Sequence, residues 1–241
     1  MEMDIFIPCY VDQLFPATGW NMVKILEKLG CTVHYNPEQT CCGQPAWTTG
    51  QKELTKPVAE KWLKEFSTGR PVVCPAGSCV GMVRNYYHEM FMNSSYHLTL
   101  RNVQARTFEL SEFLVNTLKV SDLGAKLPGK AVYHDACSAL RECKIKTGPR
   151  MLLSHVRELE LIEAEDAEEC CGFGGTFSVK YEALSSSMAE NKIKSALALE
   201  ADYIISTDLS CLMHLEGYIR KNKLSIKTMH LADVLASGWE K

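Results

Sequence analysis

Short apolar runs alternate with longer amphipathic stretches along this chain. The run from Asp4 to Pro8 predicts a strand, and Phe15 to Leu29 has helical spacing that stops at Gly30. Cys31 to Tyr35 predicts a second strand, Lys52 to Phe66 a helix, Pro71 to Cys74 a strand and Ser78 to Met90 another helix. After Gly129 the signals return in the same order. Ala131 to Tyr133 and Tyr203 to Ser206 read as strands, Glu182 to Leu199 and Leu209 to Lys221 as helices. Strands alternating with helices predict an α/β fold with parallel-sheet cores and crossover helices.

The two series are copies of one unit. Cys9 is followed by 31 residues and then Cys41-Cys42-Gly43, and Cys137 by 32 residues and then Cys170-Cys171-Gly172. A further 36 residues lead from the first pair to Cys79, and 39 from the second to Cys211. The tails Arg106–Leu114 and Lys227–Leu235 also correspond. A period of about 120 residues, present twice, describes one duplication rather than a solenoid. The expected organisation is two pseudo-symmetric cysteine-rich repeats, 1–125 and 126–241, with the boundary near Leu123 to Gly129.

Composition narrows the partners. Twenty-nine acidic against 26 basic residues give a formal charge of −3, with no basic stripe for nucleic acid and no polybasic segment for a membrane surface. No stretch approaches the ~18 apolar residues of a membrane span. The start, MEMDIFIPCY, lacks the basic region of an export signal. The expectation is a cytoplasmic protein, in which eleven cysteines stay reduced and point to metal or redox chemistry.

Each repeat orders its thiols C…CCG…C. In a parallel sheet the ends of the strands that precede these cysteines lie on one edge, where α/β folds bind ligands. The helices opening near Ser78 and Leu209 direct their N-termini to the same edge, which favours anionic thiolates. Four converging thiolates are the ligand set of an iron–sulfur cluster or a structural zinc. Adjacent cysteines reach different irons of a polynuclear cluster more readily than one small tetrahedral ion. The glycine after each pair permits positive φ and lets amide groups approach sulfur. No C-x-x-C occurs, which removes thioredoxin, zinc-ribbon and ferredoxin patterns together. Cys31 and Cys143 read as small buried residues. Cys74, whose repeat equivalent is Ser206, is either an auxiliary ligand or a core residue.

The double pattern resembles the cysteine-rich CCG domains found in heterodisulfide reductases and in the iron–sulfur subunits of glycolate oxidase. The stretches Thr40-Cys41-Cys42-Gly43-Gln44-Pro45-Ala46, Pro75-Ala76-Gly77-Ser78-Cys79 and Cys170-Cys171-Gly172-Phe173-Gly174-Gly175-Thr176 are more closely similar to the LutA/YkgE group of lactate-utilisation iron–sulfur proteins. The likeness spans essentially the whole chain. It implies eight cluster ligands: Cys9, Cys41, Cys42 and Cys79, then Cys137, Cys170, Cys171 and Cys211. It also implies an oxidoreductase subunit, without complete activity alone, of a complex that oxidises L-lactate to pyruvate. A companion iron–sulfur subunit and a third small subunit are the implied partners, [4Fe–4S] the implied cluster, and neither flavin nor nicotinamide is expected. One departure stands out. Where the heterodisulfide reductase pattern closes with C-x-x-C and supplies five thiolates, this chain has Met82 and His214. That counts against a five-thiolate non-cubane cluster, while four thiolates suffice for an ordinary cluster or for zinc.

Weaker candidates surround the cysteines. His134-Asp135, just before Cys137, is placed to tune that site or supply a proton, or simply to hydrogen-bond its own loop. Arg141 is a carboxylate-binding candidate or an ordinary exposed arginine. His214, three residues beyond Cys211 on a helix, is a possible non-cysteine ligand. Gly172-x-Gly174-Gly175 lacks the lysine of a phosphate loop and reads as a turn packed on the site. Met82, Met213 and the tryptophans read as packing. Three function classes result: an electron-transfer subunit, a zinc-binding scaffold module for partner subunits, and a thiol/disulfide reductase subunit at an open cluster. The first turn continues Gln44-Pro45 and the second Phe173-Gly174-Gly175, so the second site is expected to be the easier to reduce.

Overall fold

A computed structural model describes residues 1–239. Each half is built on a four-stranded, wholly parallel sheet. In the first, β1 (Glu2–Ile5), β2 (Thr32–Tyr35), β3 (Val72–Cys74) and β4 (Thr107–Glu109) lie in the order β2-β1-β3-β4. In the second, β5 (Lys126–Tyr133), β6 (Arg157–Ile162), β7 (Tyr203–Ser206) and β8 (Lys227–His230) repeat that order as β6-β5-β7-β8. The α/β class and the two similar halves are as the sequence predicts.

Three strands carry no apolar run that announces them. β4, β6 and β8 are edge strands reading TFE, RELELI and KTMH, with polar or charged groups interrupting the apolar ones. β1 lies two residues earlier than its sequence signal at the start, because the buried residues following Ile5 belong to the turn that carries Cys9. The helix expected over Ser78–Met90 is broken in character: α-helix at Gly77–Gly81, a π-helical turn at Met82–Tyr86 and α-helix again at Tyr87–Phe91. Among the described residues no helix is long and apolar enough to cross a membrane.

Helices bury one face on each sheet. Helix Pro16–Lys28 starts on proline, which suits a first-turn position, and buries Met22, Ile25 and Leu26 at helical spacing. Behind the first site, Phe6 packs edge-on to Trp62 and Phe66 with ring centroids 5.6 and 5.5 Å apart.

The halves then pack on one another around their cysteine-bearing loops. Gly77 and Gly81 present a bare face to the segment Ser138–Glu142; a Cβ at Gly77 would stand 2.5 Å from that of Ala139. Helix Pro16–Lys28 meets the last helix of the other half, Leu231–Leu235, where Thr18 and Asn21 both donate to Asp233 at 2.8 and 2.9 Å.

Candidate metal centre

Both sites form at the carboxyl edge of a sheet, beside the point where the strand order reverses: β1 has β2 on one side and β3 on the other. Cys9 follows β1 and Cys79 lies in the first turn of helix Gly77–Gly81 after β3. The loop after β2 returns Cys41 and Cys42 to the same edge. There Gln39 accepts from the Ile7 amide at 2.7 Å, and the Tyr87 hydroxyl donates to the Cys42 carbonyl at 2.9 Å. The second half repeats this with Cys137 after β5, Cys211 in the first turn of helix Leu209–Lys221, and Cys170-Cys171 between.

The thiols converge in sequence order. Cys9 Sγ is 3.8 Å from Cys41 Sγ, and Cys42 Sγ is 3.3 Å from Cys79 Sγ. In the second half, the Cys171 and Cys211 sulfurs lie within 4.8 Å of each other, and Cys137 and Cys170 adjoin them. In each group the first two cysteines are half-buried and the last two buried, so each centre has one open side. Gly43 and Gly172 have φ of +84° and +91°, and a Cβ there would meet Thr55 at 2.9 Å or the Ser185 carbonyl at 2.6 Å. Their amides donate to Cys41 Sγ at 3.3 Å and Cys170 Sγ at 3.4 Å.

These contacts polarise the thiols. Donation from Cys42 and Cys9 draws Cys41 down to about 3, and donation from Cys137 and Cys171 draws Cys170 down to about 2. Cys211 falls to about 6 through donation from Cys171, against burial. Their donors Cys9, Cys42, Cys137 and Cys171 are pushed up by the adjoining thiolate and by burial. Soft sulfur donors in a half-open pocket with amides aimed at them fit a thiophilic metal centre.

The remaining candidates separate. Cys74 is fully buried, donates to the Ala76 carbonyl at 3.7 Å and adjoins Cys79 of the first group. His134 is buried with Cys171 and Cys211, the three ligand atoms all within 4.8 Å of one another, and neither of its ring nitrogens has a hydrogen-bond partner. Asp135 is held by Arg150 through two bonds of 2.9 and 2.7 Å. His214 bonds Ser185 Oγ at 3.1 Å, and the same hydroxyl donates to the Gly172 carbonyl, so that histidine braces the second glycine turn. Arg141 is exposed and reaches the Glu168 carbonyl at 3.3 Å. Met82 is buried in the core. Cys31 stands apart, and Cys143 Sγ points to the Gly77 carbonyl across the seam at 3.5 Å.

Asp208 carries no signal in the C…CCG…C pattern. It stands where the first repeat has Ala76, and its carboxylate accepts from Ser78 N and Oγ at 2.8 and 2.7 Å. The second half thereby caps the helix that holds Cys79. Tyr10, next to Cys9, meets Phe173, next to Gly172, with ring centroids 6.0 Å apart. The two thiol groups are therefore neighbours across the seam.

Fold and site define a duplicated α/β protein with a thiol-rich centre in each half. The sequence profile of the cysteine-rich CCG domain matches residues 3–84 and 131–216. The chain belongs to that family. It is 40% identical to lactate utilization protein A of Anoxybacillus flavithermus, covering 98% of this chain and 99% of that one. It is also 40% identical to lactate utilization protein A 2 of Bacillus cereus over the full length of both. Among solved structures, a hypothetical protein from Helicobacter pylori shares the fold with a TM-score of 0.63 and 13% identity. This chain is covered completely there and spans 49% of that protein's length.

Proposed function

We propose that this protein is the iron–sulfur electron-transfer subunit of a cytoplasmic complex that oxidises L-lactate to pyruvate. The observation that carries the reading is the convergence of four thiols in each half with the two groups adjoining at one seam. Full-length similarity to lactate utilization protein A supports the substrate. The eight repeated cysteines would hold two clusters, with [4Fe–4S] as the expected type, each storing and releasing single electrons. Gly43 and Gly172 amides would donate to ligand sulfur, and the buried cysteines of each group would exclude water from one side. A companion iron–sulfur subunit and a third small subunit complete the proposed assembly, through which electrons leave this chain.

One observation favours a second reading. The 3.8 Å between Cys9 and Cys41 sulfurs equals the edge of a tetrahedron of thiolates about 2.3 Å from one ion, the geometry of structural zinc. Zinc would make the chain a scaffold for its partners. Anaerobic purification decides between them. A brown protein with iron and acid-labile sulfide is expected; a colourless one with stoichiometric zinc sinks the electron-transfer reading.

A further inference from the structure

The two halves differ at one pair of positions that the repeat places side by side. β1 and β3 run in register, Ile5 beside Val73, and the Phe6 amide donates to the Val73 carbonyl at 2.9 Å. β5 and β7 do the same, Tyr133 beside Ile205, and the His134 amide donates to the Ile205 carbonyl at 2.8 Å. The next residues along are therefore matched pairs: Phe6 with Cys74 in the first half, His134 with Ser206 in the second. Each pair contains one side chain able to bind a soft or borderline metal and one that is not. In the first half the donor comes from β3, in the second from β5.

Both donors lie beside their sulfur group. Cys74 Sγ donates to the Ala76 carbonyl at 3.7 Å and adjoins Cys79, and burial and Cys79 act on its thiol together. His134 faces Cys171 and Cys211, and Ser206 spends its hydroxyl on the His134 carbonyl at 2.9 Å, fixing the strand end that presents the ring. A buried imidazole with neither nitrogen bonded is left unsatisfied at a cost to folding unless something binds it. His134 is only 2% exposed, so solvent does not make up the loss. Imidazole nitrogen is a common ligand for both iron and zinc.

We infer that His134 is a nitrogen ligand of the second centre, at the place whose first-half counterpart is taken by Cys74, so that the two centres are chemically unlike. This rests on the reading that the thiols hold a metal centre. The test uses full-length protein reconstituted anaerobically with iron and sulfide, assayed for both, reduced, and examined by pulsed electron paramagnetic resonance with 15N-histidine incorporated. A strongly coupled histidine nitrogen is expected in the wild type. It disappears in His134→Phe, which installs the residue found at the matching place in the first half. It disappears as well in His134→Cys, which retains wild-type iron content and so excludes misfolding as the cause. His214→Gln keeps it. A bound cluster without histidine coupling, or coupling that survives His134→Phe and vanishes in His214→Gln, overturns the assignment and leaves the cluster reading intact. A protein that takes zinc instead of iron sinks the electron-transfer reading alone, and its cobalt(II) form then reads the same nitrogen by the same labelling. A chain that binds none of these metals overturns both.

Discussion

Cys42 and Cys171 are each 2% exposed and form the inner wall of their centres. Cys171→Ser replaces a soft thiolate by a hard hydroxyl where no solvent can compensate. The expected result is loss of the second centre's metal, about half of the total for two equal centres, on the ligand logic of thiolate clusters. Cys31→Ser, remote from both groups, should leave metal content unchanged. Equal metal in both variants, measured by elemental analysis, would contradict the division of roles. The eight repeated cysteines could be read from sequence because residue type and spacing recur together. His134 could be placed near the second site but not given a direction, since its ring is aimed by the β5–β7 register, which sequence does not display. Asp208 was invisible for another reason. Its partner Ser78 lies 130 positions away and the repeat offers Ala76 in its place.

At the level of elements, the apolar strands and longer helices were legible within two or three residues, because burial on one face writes a period into the sequence; the exception is β5, whose start at Lys126 precedes its apolar signal by five residues of mixed exposure. β4, β6 and β8 were not, since an edge strand keeps polar groups in its alternation. The short helices after these strands have their own logic. Glu109 ends β4 and caps helix Leu110–Glu112 by accepting from the Ser111 and Glu112 amides. Burial nevertheless raises its carboxyl from 4.5 to about 7, with those hydrogen bonds opposing. Between these values the folded chain binds the proton more tightly than the unfolded one. Glu109 therefore favours folding most at low pH, and that contribution is lost as pH rises from 4.5 through about 7. The loss is on the order of 3 kcal/mol from the size of the shift. Glu109→Gln should flatten this slope, seen as urea midpoints that differ less between acid and alkaline buffer than those of the wild type. Parallel slopes for the two proteins would sink the assignment. The cross-half cap gives a second expectation. Asp208→Ala leaves the half-buried Ser78 amide without its acceptor and should cost about 1 kcal/mol in urea unfolding, with Asp208→Asn losing less. A variant as stable as the wild type would show that the seam does not depend on this contact.

For the whole molecule, the duplicated topology makes two centres and the departures from symmetry make them unequal. The glycine turns alone do not separate them, because each donates one amide to a thiolate at nearly equal length, 3.3 and 3.4 Å. The second half adds a histidine at the end of β5, where the first half has Phe6 and, alongside it, Cys74. A neutral imidazole where the first half has a thiol stabilises the reduced, more negative state. The second centre should therefore have the higher reduction potential, by more than about 59 mV, which is tenfold in a one-electron equilibrium. Electrons entering at the first centre would then pass to the second, across the seam where Tyr10 meets Phe173 and Asp208 reaches Ser78. Anaerobic redox titration followed by electron paramagnetic resonance checks the order, with Cys171→Ser identifying which signal belongs to which half. His134→Cys should bring the two potentials together, since it restores an all-sulfur set. Two centres already coincident in the wild type, or a lower potential for the second, would refute a preferred direction of flow.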